Sequence, residues 1–185
     1  MSESRDWRKV RAEVKDFVEN EVYPAEAVLN QRSEESNQKL KELMDKAKEK
    51  NLWALGHPVD IGGQGMPFME YVYVNEVVGR SSPAMVALGT HSLQDSIMLR
   101  EFASDRWRDA YLGPLVAGEI FPSFGMTEPD TASSDPTQLQ TAAVLEDGEW
   151  VINGRKWFTS GAARAAYTTV MVRTEPDTPG HGAFS

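Results

Sequence analysis

The sequence predicts an α+β fold in which an all-α helical N-terminal domain precedes an antiparallel β-barrel-like domain. Two observations lead to this class. Through the first 120 residues, apolar side chains recur mainly three and four positions apart, the spacing of helices that bury one face. After Gly118, short runs rich in β-branched and aromatic residues replace that spacing. We therefore expect a helical domain over residues 1–120 and a β domain over residues 121–185.

The first two helices are predicted from their apolar spacing and from the residues at their ends. The spacing predicts a helix over residues 7–22, which Pro24 ends or kinks. The polar run NQRSEESN then predicts a loop, with Ser36 or Asn37 as the N-cap of the second helix. That second helix is expected to stop at Asn51.

The segment WALGHPVDIGGQGMP, residues 53–67, holds four glycines and two prolines and therefore predicts a structured loop. It neither follows a strand nor opens a βαβ unit, so its glycines indicate a tight turn rather than a phosphate-binding loop. Helical spacing returns after it. Further helices are expected over residues 68–79, from Ser81-Ser82-Pro83 onward, over Leu93–Phe102 and over Asp105–Tyr111, the last with Ser104 as its cap.

The β domain is expected to contain the runs TAAVL, WVIN and YTTVMVR, at residues 141–145, 150–153 and 167–173. Between the first two, Glu146-Asp147-Gly148 predicts a hairpin turn with glycine at its tight position. The pattern of the last residues, Gly182–Ser185, is typical of the start of another strand. We therefore expect the β domain to be incomplete and the chain to be a fragment.

Composition excludes several classes of function. The net charge of −9 and the pI near 4.9 disfavour binding to nucleic acid or to an anionic membrane. The absence of cysteine excludes disulfides, thiolate catalysis and cysteine-based zinc sites. No signal-peptide core and no apolar run long enough to span a bilayer is present, so we expect a soluble intracellular protein. His57, His91 and His181 lack metal-ligand spacing, so no metal site is expected.

Four segments, taken in order, resemble the acyl-CoA dehydrogenase family. They are GHPVDIGGQGM leading to EYVYVNEVVGRSS, then YLGPLVAGEI, GMTEPDTASSD and VINGRKWFTSG. Each piece alone would be a weak signal, but together they follow the family's order over nearly the whole chain. The third segment is similar to the subgroup whose loop reads TEPD-x-ASSD.

The resemblance implies a flavoprotein enzyme. In the family, FAD lies between the β domain and a C-terminal helical domain. A proton leaves the α carbon of a fatty acyl-CoA thioester and a hydride passes from the β carbon to flavin N5. The implied partners are acyl-CoA as substrate, electron-transfer flavoprotein as acceptor, and copies of the full-length chain in a homodimer or homotetramer. The implied location is the bacterial cytoplasm or, in a eukaryote, the mitochondrial or peroxisomal matrix, with a role in fatty acid β-oxidation.

The resemblance also implies which residues contact FAD. The first flavin segment is expected to supply Phe124, Met126, Thr127, Ser133 and Ser134, with Ser134 also near the acyl-CoA. The second is expected to supply Phe158, Thr159, Ser160 and Gly161, with Phe158 beside the flavin ring. Because the first loop is one residue longer than the commoner TEPGAGSD form, Ser133 and Ser134 are interchangeable in the alignment. Either Thr159 or Ser160 could face flavin N5, and counting from Lys156 favours Ser160.

No residue of the chain is assigned as catalytic. Glu128 is an acid in the first flavin segment, but its position beside Pro129 in a turn predicts a local structural role. In the family, the base is a glutamate of the C-terminal helical domain, so we expect the isolated 185-residue chain to be inactive.

Other interpretations stay open. One is an acyl-CoA oxidase or a flavin-dependent hydroxylase of the same architecture, and another is a short non-catalytic protein that binds acyl-CoA or a full-length partner. A local concentration of basic residues either meets the phosphates of FAD or CoA or is solvated. These residues are Arg155, Lys156, Arg164 and Arg173.

Overall fold

The computed structural model describes residues 6–31, 33–132 and 135–175. The chain divides into two units, Met1–Ile120 and Phe121–Ser185. The described α-helices lie in the first unit and the described strands in the second, which confirms the predicted fold class. Within these described ranges, no helix has the length and apolar character needed to cross a bilayer.

Helix α1 spans Trp7–Phe17 and begins where the carboxylate of Asp6 accepts the N–H of Arg8 at 3.0 Å. A π-helical segment, Val18–Val22, and a 3-10 turn, Tyr23–Ala25, then lead into the short helix α2, Glu26–Leu29. The ring of Pro24 would clash with a carbonyl four residues earlier in a regular helix. The wider π turn accommodates it, so Pro24 changes the helix type without ending the helix.

Helix α3 spans Glu34–Glu49 and is capped by Ser33, whose Oγ accepts the N–H of Ser36 at 3.2 Å. The predicted caps, Ser36 and Asn37, are therefore wrong. Glu34 and Glu35 occupy the first turn, where the helix dipole favours acidic residues, so the helix starts earlier than its apolar spacing indicates. At its other end, Asn51 adopts a φ of 54°, which turns the chain out of the helix as predicted.

We expect Ser33→Ala to lower the free energy of unfolding by about 1 kcal/mol, because the N–H of Ser36 loses its acceptor. Asn37→Ala is the matched control at the exposed position first predicted as the cap, and alanine is the better helix former there, so no loss is expected. Urea unfolding of both variants measures the difference. Equal losses at the two positions would contradict the assignment of Ser33 as the cap.

The remaining helices are α4, Phe68–Val78; α5, Ser82–Ala87; α6, Leu93–Phe102; and α7, Asp105–Ala117. Ser81 caps α5, since its Oγ accepts the N–H of Ala84. Helix α7 continues six residues beyond the predicted end at Tyr111 and passes through Pro114. Burial of its second half outweighs the poor helix preference of proline there. The buried residues of α7 are Leu112, Leu115 and Val116.

The loop at residues 53–67 is structured, as predicted. It contains a 3-10 turn, Val59–Ile61, and its backbone closes on itself: the N–H of Gly63 donates to Pro58 O, and that of Gly65 to His57 O. A Cβ on Gly63 would lie 2.1 Å from His57 O. The glycines of this loop therefore permit close backbone packing, in agreement with the tight turn that the sequence indicates.

His57 is a polar residue inside the helical unit and has no exposed surface. Ser92 Oγ donates to Gly89 O at 3.2 Å, so its single hydrogen is used there. His57 Nε2 therefore carries its hydrogen and donates to Ser92 Oγ at 3.1 Å. Burial and the nearby charge of His91 lower the pKa of His57 to about 4, so this histidine is neutral and structural at pH 7.

The β unit contains strands β1, Pro122–Gly125; β2, Ala142–Glu146; β3, Glu149–Asn153; and β4, Tyr167–Val170. Strands β2 and β3 form the predicted antiparallel hairpin, with Val144 opposite Val151. Its two-residue turn, Asp147-Gly148, has positive φ angles of 51° and 85°, which match the right-handed twist of the strands.

Strands β1 and β4 pair in parallel, with Phe124 opposite Thr169. Purely antiparallel pairing, which the sequence predicted for the β domain, therefore applies only to β2 and β3 among the described strands. Parallel strands need a long connection, and here it contains the whole hairpin. No local turn marks such a pair, so the sequence pattern did not indicate it.

Candidate functional site

The two segments that the resemblance assigned to FAD meet in the β unit. The first continues from the end of β1 through Met126 and Thr127, and the second follows β3. The backbone N–H of Trp157 donates to Thr127 O at 3.0 Å. This bond places segments about thirty residues apart in sequence side by side, with Thr127 next to the residues that precede Phe158.

A buried ion pair joins the same two segments. Lys156 Nζ donates to Glu128 Oε1 at 2.9 Å, and the two side chains are 11% and 5% exposed. Lys156 Nζ also donates to Met126 O at 2.9 Å. One ammonium group therefore holds both a side chain and a backbone carbonyl of the first segment.

Glu128 accepts hydrogen bonds from at least four donors. Besides Lys156, they are the backbone N–H of Gln140 at 2.7 Å and, from Thr141, the backbone N–H at 2.8 Å and Oγ1 at 2.5 Å. Burial opposes ionisation of this carboxyl, but the bonds from Lys156, Thr141 and Gln140 outweigh it and lower its pKa to about 2. Glu128 is therefore a fully engaged carboxylate, unsuited to accept a proton from a substrate.

Gly154 allows the second segment to approach this network. Its φ is 159°, and a Cβ at this position would lie 2.3 Å from Thr141 Oγ1. The hydroxyl of Thr141 is the one that donates to Glu128. Any side chain at Gly154 would push the second segment away from Thr141.

The far end of the second segment presents aromatic rings and hydroxyls. The rings of Trp157 and Phe158 lie 4.7 Å apart between centroids, and Phe158 is 76% exposed. Phe158 has a φ of 50°, a strained value for a bulky residue and one that often marks a functional segment. Thr159 is half-buried and Ser160 is exposed, and Gly161 turns the chain away with a φ of 80°.

The structure describes most of the residues that were predicted to contact FAD, and their role there stays a prediction. Phe124, Met126 and Thr127 are half-buried along one segment, and Phe158 to Gly161 follow the neighbouring one. Ser133 and Ser134 lie outside the described residues, so their alternative alignment stays a prediction.

The basic residues that the sequence singled out all contact the protein. Arg155 pairs with Asp130 at 2.8 Å, in a bridge whose side chains are 72% and 69% exposed. Arg164 lies over the ring of Phe121, and Arg173 Nη1 donates to Thr137 O at 3.2 Å. Lys156 in particular is committed to Glu128, a pairing that sequence reasoning missed because 28 residues separate the two.

Two family models match the chain. Residues 4–119 match the model described as "Acyl-CoA dehydrogenase, N-terminal domain", and residues 123–185 match "Acyl-CoA dehydrogenase, middle domain". The chain belongs to the acyl-CoA dehydrogenase family. The resemblance stated from the four sequence segments is thereby confirmed.

Individual relatives agree with this assignment. The chain is 33% identical to acyl-CoA dehydrogenase family member 10 of Mus musculus, over 94% of this chain and 18% of that protein. It is also 33% identical to a Mycobacterium tuberculosis protein named as the acyl-CoA dehydrogenase FadE2, over 92% of this chain and 44% of that one. A solved acyl-CoA dehydrogenase structure from Mycobacterium abscessus superposes with a TM-score of 0.85 at 30% identity, over 100% of this chain and 50% of that chain. The chain thus spans half or less of the length of these relatives.

Proposed function

We propose that this chain supplies the N-terminal and middle parts of an FAD-dependent acyl-CoA dehydrogenase. The proposed reaction is α,β-dehydrogenation of a fatty acyl-CoA thioester, in which a proton leaves Cα and a hydride leaves Cβ for flavin N5. One observation supports the proposal for these residues: the bond from Trp157 N–H to Thr127 O holds side by side the two segments that we propose to contact flavin.

The donor set in these segments fits an isoalloxazine ring. A flavin needs hydrogen-bonding groups along its N and O edge and an apolar wall on its face. Met126 and Thr127 offer backbone groups and a hydroxyl, and Thr159 and Ser160 offer two more hydroxyls. The exposed ring of Phe158 offers the wall, and a bound ring system would remove its apolar surface from water. When bound, FAD supplies the hydride acceptor.

The residues of this chain bind and orient in the proposed reaction, and we assign none of them to proton abstraction. Glu128 is held by Lys156, Thr141 and Gln140 with a low pKa, so it is a poor base for a weak carbon acid. We accordingly propose that the 185 residues alone do not turn over acyl-CoA.

The proposed acceptor is an electron-transfer flavoprotein, and the proposed assembly of the full-length protein is a homodimer or homotetramer. Both rest on family membership. Reoxidation of the reduced flavin tests the first: slow reaction with oxygen and fast reaction with a flavoprotein acceptor support a dehydrogenase. Fast reaction with oxygen would favour the oxidase or hydroxylase of the same architecture.

The first experiment is the intact mass of the protein as its source makes it, followed by titration with FAD. A species much heavier than 20.6 kDa that binds FAD supports the proposed dehydrogenase. A stable 20.6 kDa species that binds acyl-CoA and no FAD would overturn it in favour of the non-catalytic binding protein.

In the protein at the length its source makes, we expect Ser160→Ala to lower the rate of flavin reduction by acyl-CoA about tenfold or more, because the proposed hydroxyl at flavin N5 is lost. Thr159→Ala, the neighbouring half-buried hydroxyl, is the matched control and is expected to have the smaller effect. Stopped-flow bleaching of the flavin absorbance measures both rates. A larger loss in Thr159→Ala would assign the N5-facing hydroxyl to Thr159 instead.

A further inference from the structure

Two ion pairs connect the two flavin segments, and they differ in burial. Lys156 and Glu128 are 11% and 5% exposed, whereas Arg155 and Asp130 are 72% and 69% exposed. Arg155 and Lys156, which are adjacent in the second segment, thus pair with two acidic residues that lie two positions apart in the first segment. The exposed pair is screened by water and contributes little to structure. The buried pair is costly to break, because the remaining charge would be left without its partner.

The buried pair belongs to a hydrogen-bond network that connects three backbone segments. Lys156 binds Met126 O in the first segment, and Glu128 binds the N–H groups of Gln140 and Thr141 just before β2. The absence of a side chain at Gly154 lets the second segment reach Thr141. The position of residues 126–128 relative to residues 154–157 is therefore set by these bonds, whose distances run from 2.5 to 2.9 Å.

We propose that Glu128 and Lys156 are positioning residues that set the spacing between the two edges of the flavin site. The proposal rests on the proposed function, because it assumes that residues 124–127 and 158–161 contact FAD. The two residues act through the backbone. Lys156 Nζ holds the carbonyl of Met126, and the backbone N–H of the following residue, Trp157, donates to Thr127 O. The strained Phe158 follows directly, so its orientation depends on where Lys156 is held.

A positioning role and a purely structural role predict different FAD affinities once both charges of the pair are removed. Glu128→Gln/Lys156→Met removes both charges together, so no unpaired buried charge remains and much of the stability returns. The bond to Met126 O is still absent in this double variant. FAD affinity therefore stays low if the pair positions the segments, and it recovers with stability if the pair only supports folding.

The experiment measures FAD dissociation constants and apo-protein melting temperatures, using the protein at the length its source makes. We expect Lys156→Met to weaken FAD binding about tenfold or more, the size of effect found when a residue that orients metal-binding groups is lost. Arg155→Met, the adjacent exposed pair, is the matched control and is expected to stay within about twofold of wild type. The bound-flavin absorbance spectrum is expected to shift in Lys156→Met and to stay unchanged in Arg155→Met.

The outcomes separate the two proposals. A double variant with a recovered melting temperature but weak FAD binding supports the positioning role. Joint recovery of melting temperature and affinity overturns it, as does a Lys156→Met variant that binds FAD as tightly as Arg155→Met. If the wild-type protein itself binds no FAD, the proposed function falls, and this inference falls with it.

Discussion

Gly63→Ala is expected to destabilise the helical unit by about 3 kcal/mol or more, since a methyl group here overpacks a site filled by backbone. The new Cβ would lie 2.1 Å from the carbonyl oxygen of His57 and 2.4 Å from its carbonyl carbon. These atoms belong to the main chain of the same loop, which is pinned by the bond from Gly65 N–H to His57 O. Relief of the clash would require the loop to open.

Gly113→Ala provides the control for that result. Gly113 lies within α7, and a Cβ there would meet no atom within 4 Å apart from its chain neighbours and the backbone of its own helix. The helix preference of alanine is opposed by crowding from the following Pro114, so the net change is expected to be within about 1 kcal/mol. Urea unfolding gives both free energies. A Gly63→Ala variant as stable as Gly113→Ala would contradict the close packing of the loop.

The stability of the helical unit is expected to fall as the pH drops from 6.5 towards about 4. These limits are the ordinary pKa of histidine and the lowered pKa of the buried His57. In this interval His57 is protonated in the unfolded chain but stays neutral in the folded unit, so folding becomes less favourable as the pH decreases. The shift corresponds to a loss of roughly 3 kcal/mol at the low end. Asp95, whose pKa is raised by burial, acts in the opposite direction.

His57→Gln isolates this contribution, because glutamine keeps a donor for Ser92 but does not titrate. Urea unfolding at several pH values is expected to give a flatter profile for this variant between pH 6.5 and 4, with the effect of Asp95 left in place. A profile parallel to that of the wild type would contradict the assignment. Glu128 titrates lower, because its folded-state pKa is lowered from 4.5 to about 2, so the β unit is expected to lose stability as the pH falls from about 4.5 towards 2, mostly below the histidine interval.

Sequence reasoning succeeded where the determinant was local. The hairpin at Asp147-Gly148 and the start of α5 at Ser81-Ser82-Pro83 each depend on a few adjacent residues, and both were predicted. The cap of α3 was misplaced because several hydroxyl and amide residues compete before that helix. The length of α7 was underestimated because burial, which is a tertiary property, holds Pro114 in the helix.

The two segments of the candidate site were predicted from the sequence, but the bonds between them were not. The resemblance assigned two segments to FAD, and the structure brings Thr127 of the first into contact with Trp157 of the second. The pairing of Glu128 with Lys156 depends on how β1 and β3 are arranged, and no spacing rule relates residues that far apart. Among the basic residues, sequence alone offered no way to separate the buried Lys156 from its exposed neighbour Arg155.

The parallel pairing of β1 with β4 imposes an order of events during synthesis. Ser123 and Thr168 bond across this pair although 45 residues separate them. The hairpin of β2 and β3 is local and closes within microseconds of leaving the ribosome, whereas β1 must wait several seconds for β4 at about 5–20 residues per second. During that delay the edge of β1 is open to other strands. In the nascent chain, the edge of β1 that pairs with β4 therefore stays unpaired until Val170 has been synthesised.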